Sequence, residues 1–240
     1  MSVAYNPNIS RGGLQLYLDA ANVKSYPGSG TTWFNIFGSS KGFLRNGPTY
    51  ANNAFTFDGT DDYVSIASTP SSTDRQWNWT PSNLLNSNEY SFEMWVNSSD
   101  TGGHYISKPW NGNGEYNYIA THNSWYASVG NQGHSQSFTS LATGTWQHAV
   151  FIVNATQKAV YRNGVLDAAF TNHSITDVTP TSGDDSLSLT LMTIYPYGTS
   201  FDLPTHAIAG KLAVFKVYNT VLTADQILQN FNAVRGRFGV

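Results

Sequence analysis

YSFEMWVN, residues 90–97, decides the fold class. Tyr90, Phe92, Met94 and Val96 fall on one face of an extended chain, and Ser91, Glu93, Trp95 and Asn97 fall on the other. That period of two marks a strand in a sheet with unequal faces. Working outward, WQHAVFIV (146–153) is apolar at both parities and reads as an inner strand. In KAVYRNGVLDA (158–168), Asn163-Gly164 separates two short strands. Both residues tolerate positive φ, as a type I′ hairpin turn requires. Leu14, Leu16 and Leu18 alternate with Gln15 and Tyr17; Leu187, Leu189 and Leu191 alternate again, as do Leu212 and Val214. Ala54–Phe57 leads into the turn Asp58-Gly59, and Tyr63–Ile66 follows. Short strands at this spacing predict an all-β sandwich of two antiparallel sheets. One helix is expected near 223–235: Thr223 with Gln226 forms a capping box, and Ile227, Phe231 and Val234 make an apolar stripe.

Composition agrees. Only 11% of the 240 residues are charged, Glu occurs three times, and Ser, Thr and Asn fill 73 positions, so a mostly helical protein is excluded. A formal net charge of −3 argues against nucleic acid as a partner. The chain has no cysteine, which removes disulfides, thiolate metal sites and a Cys nucleophile. No 18-residue apolar run exists, so no membrane span is expected. The opening MSVAYNPNIS lacks the apolar core of a signal peptide. The loop-like stretches 67–88 and 171–186 are flanked by strands, so residues 1–240 read as a single domain.

Six segments in order carry a resemblance: GLQLYLDAANVKSYPGSGTTW (13–33), FTFDGTDDYVSI (55–66), YSFEMWV (90–96), GTWQHAVFIV (144–153), VYRNGVLD (160–167) and the closing 208–239. Together they resemble a laminin-G-like domain of the concanavalin A-like lectin/glucanase superfamily. The opening and closing segments look most like versions in tailed-phage structural proteins, especially those of marine and cyanobacterial phages. The resemblance implies a jelly-roll sandwich, in a superfamily that hosts enzymes, lectins and structural modules.

Four site readings follow. Glucanases of the superfamily carry Glu, Asp and Glu at alternate positions of one strand; here the pattern is Glu89, Ser91, Glu93, with the middle carboxylate missing. Cα atoms four residues apart in a strand are about 13 Å apart, and retaining hydrolysis wants carboxyls about 5–5.5 Å apart. Glu89 and Glu93 therefore read as ordinary solvent-side carboxylates, and the protein as a non-enzyme. Asp58, Asp61 and Asp62 could hold calcium, or act as turn formers; Asp184-Asp185 is a weaker candidate. Trp110, Tyr116, Tyr118 and Trp125, with Tyr126, suit a glycan site, or core packing. Trp77 and Trp79 form a second aromatic cluster that suits a glycan site, an assembly contact or an anchor for their own loop. The histidines lack metal-ligand spacing.

The expected function is a non-enzymatic structural or decoration protein on the outer surface of a tailed-phage virion. Its partners would be other capsid or tail proteins, with self-association open and calcium the one cofactor considered. The alternatives are an adhesin recognising host-surface glycans and a glycan-active hydrolase.

Overall fold

The structure, a computed structural model, describes residues 8–67, 89–100, 102–109, 116–121, 125–128, 136–138, 141–154, 157–171, 189–193 and 207–240. In these residues the strands are β1 (Leu14–Asp19), β2 (Thr32–Phe34), β3 (Lys41–Arg45), β4 (Thr49–Ala51), β5 (Ala54–Asp58), β6 (Tyr63–Ala67), β7 (Tyr90–Ser98), β8 (His104–Pro109), β9 (Tyr116–Thr121), β10 (Trp125–Ser128), β11 (Gln136–Phe138), β12 (Gln147–Val153), β13 (Gln157–Arg162), β14 (Val165–Thr171), β15 (Leu189–Leu191) and β16 (Ala209–Tyr218). The helix α1 (Ala224–Val234) follows. No helix among the described residues is long and apolar enough to cross a membrane.

The strands form two antiparallel sheets, as a concanavalin A-like sandwich requires. The first runs β14-β13-β12-β7-β16-β5-β4, with β1 also paired to β16. The second runs β11-β10-β9-β8-β15-β6-β3-β2. Between them lies the main core. Phe92, Met94, Val96, Phe151 and Phe215 from the first sheet meet Trp33, Leu44, Val64, Ile66, Ile106 and Leu191 from the second. The alternation of 90–97 therefore does what its sequence predicts. Gly42 permits the close approach of the sheets: a Cβ there would stand 3.2 Å from Leu18 Cδ1 of β1.

The Asn163-Gly164 turn also forms as expected, at φ 50° and 82°. α1 starts at the predicted cap, with the Thr223–Gln226 capping box complete. It lies on the outer face of the first sheet, where Ile227, Phe231 and Val234 join Trp95, Val150, Ile152 and Val214 in a second core. Each of these helix side chains contributes about 2 kcal/mol of burial. The Trp95 ring stacks on both Phe231 and Phe238, at 5.8 and 4.2 Å between centroids. That cover is why β12 is buried along its whole length.

Two expected alternations are broken by bulges. The register of β16 shifts between Leu212 and Val214, so Leu212 enters the main core and Val214 the second one. In β1 the shift falls between Leu14 and Leu16; Leu14 joins the second core, and Leu16 and Leu18 the main one. A bulge adds one residue to one strand, and every side chain beyond it changes face.

Candidate functional site

Among the described residues, three places bear on the candidate sites. The first is the outer face of the first sheet. There Glu93 corrects the sequence reading: it is not on the solvent side but wholly buried beneath α1. Lys216, its register partner on β16, places Nζ 2.6 Å from Oε1. His148 Nε2 lies 3.1 Å from the same oxygen. Asn230 of α1 donates from Nδ2 to Oε2 at 2.6 Å and accepts the Ser10 amide at 2.7 Å. The Tyr218 hydroxyl donates to Oε2 at 3.4 Å. Burial alone would push the Glu93 pKa up; the Lys216 ammonium and the His148 imidazole outweigh it and hold the carboxyl at about 2. Glu89 is exposed and precedes β7. Ser91, where glucanases would carry the middle carboxylate, donates from Oγ to the Thr220 carbonyl and accepts the Leu222 amide, at 2.8 and 2.9 Å. This face is a sealed ionic core that ties strands, helix and N-terminal segment together.

The second place is the turn from β5 to β6. Carboxylate oxygens of Asp58, Asp61 and Asp62 lie within 4.8 Å of one another. Asp58 Oδ1 accepts the amides of Thr60, Asp61 and Asp62, at 2.7, 3.3 and 3.5 Å. The Thr60 amide bond leads in lowering its pKa. Asp62 Oδ2 accepts the Asp58 amide at 3.1 Å, and burial, then the charges of Asp58 and Asp61, push its pKa up. Asn46 Nδ2 occupies the Asp61 carbonyl at 2.7 Å. The triad could hold a divalent cation through Asp61 and the remaining oxygens of Asp58 and Asp62. Calcium usually takes six to eight oxygens, and several here already serve the turn. The fit is partial.

The third place is the outer face of the second sheet. Its register aligns Thr32, Phe43, Ser65, Thr190, Ser107, Tyr118 and Ser128 in one row across seven strands. The neighbouring row is Leu44, Val64, Leu191 and Ile106, all in the main core, with Ile119 and Ala127 next in register. One row is apolar; the other carries a hydroxyl at every position but Phe43. Ser65, Thr190 and Ser107 are buried. Thr190 Oγ1 bonds the Ser107 carbonyl at 3.2 Å, while Ser107 Oγ has no hydrogen-bond partner among the described residues. Among the expected glycan residues, Tyr116 and Tyr118 stand on β9, at the parity of the hydroxyl row. Trp125, on β10, stands in register with Thr121 and Phe138, at the opposite parity. Trp110, Trp77, Trp79 and Asp184-Asp185 lie outside the described residues.

Sequence reasoning missed Lys216, His148, Tyr218 and Asn230, because nothing in a linear pattern shows what a distant helix will cover. It missed the hydroxyl row too, although a signal was there. Ser65 sits between Val64 and Ile66, and Thr190 between Leu189 and Leu191.

The chain belongs to the Laminin_G_3 family, described as the concanavalin A-like lectin/glucanases superfamily; the family model matches residues 58–228. The curated proteins give no match. Among solved structures, Trypanosoma rangeli sialidase in complex with sialic acid is similar at TM-score 0.65 and 13% identity, over 95% of this chain and 34% of that one. A mutant of the same sialidase displaying trans-sialidase activity is similar at TM-score 0.64 and 15% identity, over 95% and 34%. The botulinum neurotoxin serotype D binding domain is similar at TM-score 0.60 and 14% identity, over 92% and 51%. This chain thus spans about a third of the sialidases and half of the neurotoxin chain. At such identities the likeness is one of fold. None of these matches carries the phage-type resemblance expected from the opening and closing segments.

Proposed function

We propose that the chain is a non-enzymatic glycan-binding module that engages sugar on the second sheet, at strands β9 and β10. One observation carries this reading: the polar row of the second sheet, buried at Phe43, Ser65, Thr190 and Ser107, continues in register onto Tyr118 of β9, two positions from Tyr116, while the corresponding face of the first sheet is closed by α1. Hydroxyl and tyrosine side chains match what sugars offer, which is hydroxyls at the rim and apolar C–H faces. Glu93, the carboxylate that would have to be catalytic, is instead fixed to Lys216 and buried. Two of the similar folds belong to a sialidase bound to sialic acid and to a toxin binding domain.

The proposed setting is the outside of a tailed-phage particle. Its support is the charge-poor composition rich in Ser, Thr and Asn. There the module would either face host glycans or hold neighbouring virion proteins through Trp77 and Trp79.

Glycan-array binding of the purified chain tests the main reading, with a Tyr116→Ala/Tyr118→Ala variant beside it. Selective binding that the variant loses, at an unchanged circular dichroism spectrum, supports it. No binding to any glycan, together with wild-type incorporation into particles, overturns it in favour of the assembly role. Polysaccharide turnover that Glu93→Gln abolishes overturns the non-enzymatic reading.

A further inference from the structure

The hairpin β2–β3 carries two exposed rings, each beneath a cation. Phe34 is 38% exposed, and Lys41 Nζ lies 5.6 Å from its centroid. Phe37 is 46% exposed, and Arg11 Cζ lies 5.7 Å from its centroid. Their exposure is built in. Asn35 Oδ1 accepts the amides of Tyr17 and Phe37, both at 2.9 Å, and Asn35 Nδ2 donates to the Gln15 carbonyl at 3.1 Å. The Ile36 amide donates to the Tyr17 carbonyl at 3.0 Å, and the Phe34 amide to that of Ser25 at 2.7 Å. The turn is thus pinned to β1 between its two rings and to Ser25 at Phe34, and Ile36 packs against the second core.

Residues 1–57 hold four cations, Arg11, Lys24, Lys41 and Arg45, against one carboxylate, Asp19. Asp19 is already held by both terminal nitrogens of Arg237, each at 2.9 Å. Among the described residues neither Arg11 nor Lys41 has an ion-pair partner. Lys41 shares the outer face of the second sheet with Phe43, which belongs to the hydroxyl row.

We propose that this hairpin is a binding site for acidic glycans, taking the C–H face of a pyranose on Phe34 or Phe37 and its carboxylate on Lys41 or Arg11. The inference rests on the glycan-binding reading and deepens it by naming the sugar class. A ring pre-set on a rigid turn binds with little loss of entropy. An ammonium or guanidinium beside it forms a charge-assisted bond that a neutral sugar cannot return. Neutral sugars would leave both cations idle.

The test compares the full chain on polygalacturonate, hyaluronan and polysialic acid with the methyl esters of the same three polymers. At least one acid should bind about tenfold more tightly than its ester, and added salt should erase the difference. In Lys41→Met/Arg11→Met the acid-to-ester ratio should fall to near one at an unchanged melting temperature. Acid and ester binding alike, or a variant that keeps the preference, overturns the acidic-sugar inference and leaves the glycan module standing. Wild-type protein that ignores all six polymers and every arrayed glycan overturns both. Polyglutamate binding as tightly as the acidic polymers, undiminished in Phe34→Ala/Phe37→Ala, also overturns it, because the cations then serve an acidic protein partner.

Discussion

Lys216 and Glu93 face each other across β16 and β7 as register partners, with Nζ 2.6 Å from Oε1 and both side chains at 0% exposure. A pair this deep depends on each member, because removing one strands the other charge without water. Lys216→Met should therefore cost about 3–5 kcal/mol, measured by urea unfolding. Glu93→Leu/Lys216→Met should cost less than the two single variants added together, since neither charge is then left alone. Additive losses would mean that the pair is not coupled.

The same carboxylate predicts acid sensitivity. With the Lys216 ammonium overcoming burial, Glu93 titrates at about 2 in the folded chain against 4.5 as the ordinary value. The folded state then binds fewer protons than the unfolded one across that window. The contribution is complete above about pH 4.5 and is lost as the pH falls toward 2. Melting temperature followed from pH 7 to pH 2.5 should drop more steeply for the native chain than for Glu93→Gln. Parallel curves would refute the assignment.

At the tip of the β13–β14 hairpin, Gly164 holds φ 82°, and a Cβ there would come 3.0 Å from Leu228 Cδ1 of α1. Gly164→Ala should destabilise by about 1–3 kcal/mol from backbone strain, with the crowding against α1 adding to it. Thr223→Ala, which removes the cap at the start of α1, should cost about 1 kcal/mol. Denaturant midpoints check both.

Asp58 is foremost a turn residue. Its Oδ1 collects three backbone amides, so Asp58→Ala should lose about 1 kcal/mol in chelator-treated protein. The measurement is thermal unfolding in EDTA. A loss that appears only when calcium is present would make the triad a metal site first and a turn second.

What the sequence made legible was local. The strand 90–97, the Asn163-Gly164 turn and the Thr223 cap each depend on residues within one turn or one pleat, and each forms as expected. The alternations at Leu14 and at Leu212–Val214 misled because a bulge is one extra residue, and it leaves no mark in a hydrophobic pattern. Glu93 misled for another reason. Its fate depends on Asn230, 137 positions away, and on a helix whose apolar stripe did not reveal which sheet face it would cover. Trp125 lies close to Tyr116 and Tyr118 along the chain, yet its register parity is the opposite of theirs.

The place of β16 has a consequence for synthesis. This strand pairs with β7 along one edge, and with β5 and then β1 along the other. Leu14 therefore waits for Tyr218, on the order of tens of seconds at a ribosome adding about 5–20 residues per second. Until then β1, β5 and β7 each carry an open edge, and Glu93 has no ammonium beside it. A nascent chain stalled before residue 209 should be a client for holdase chaperones, and its release should coincide with the arrival of the strand that joins all three.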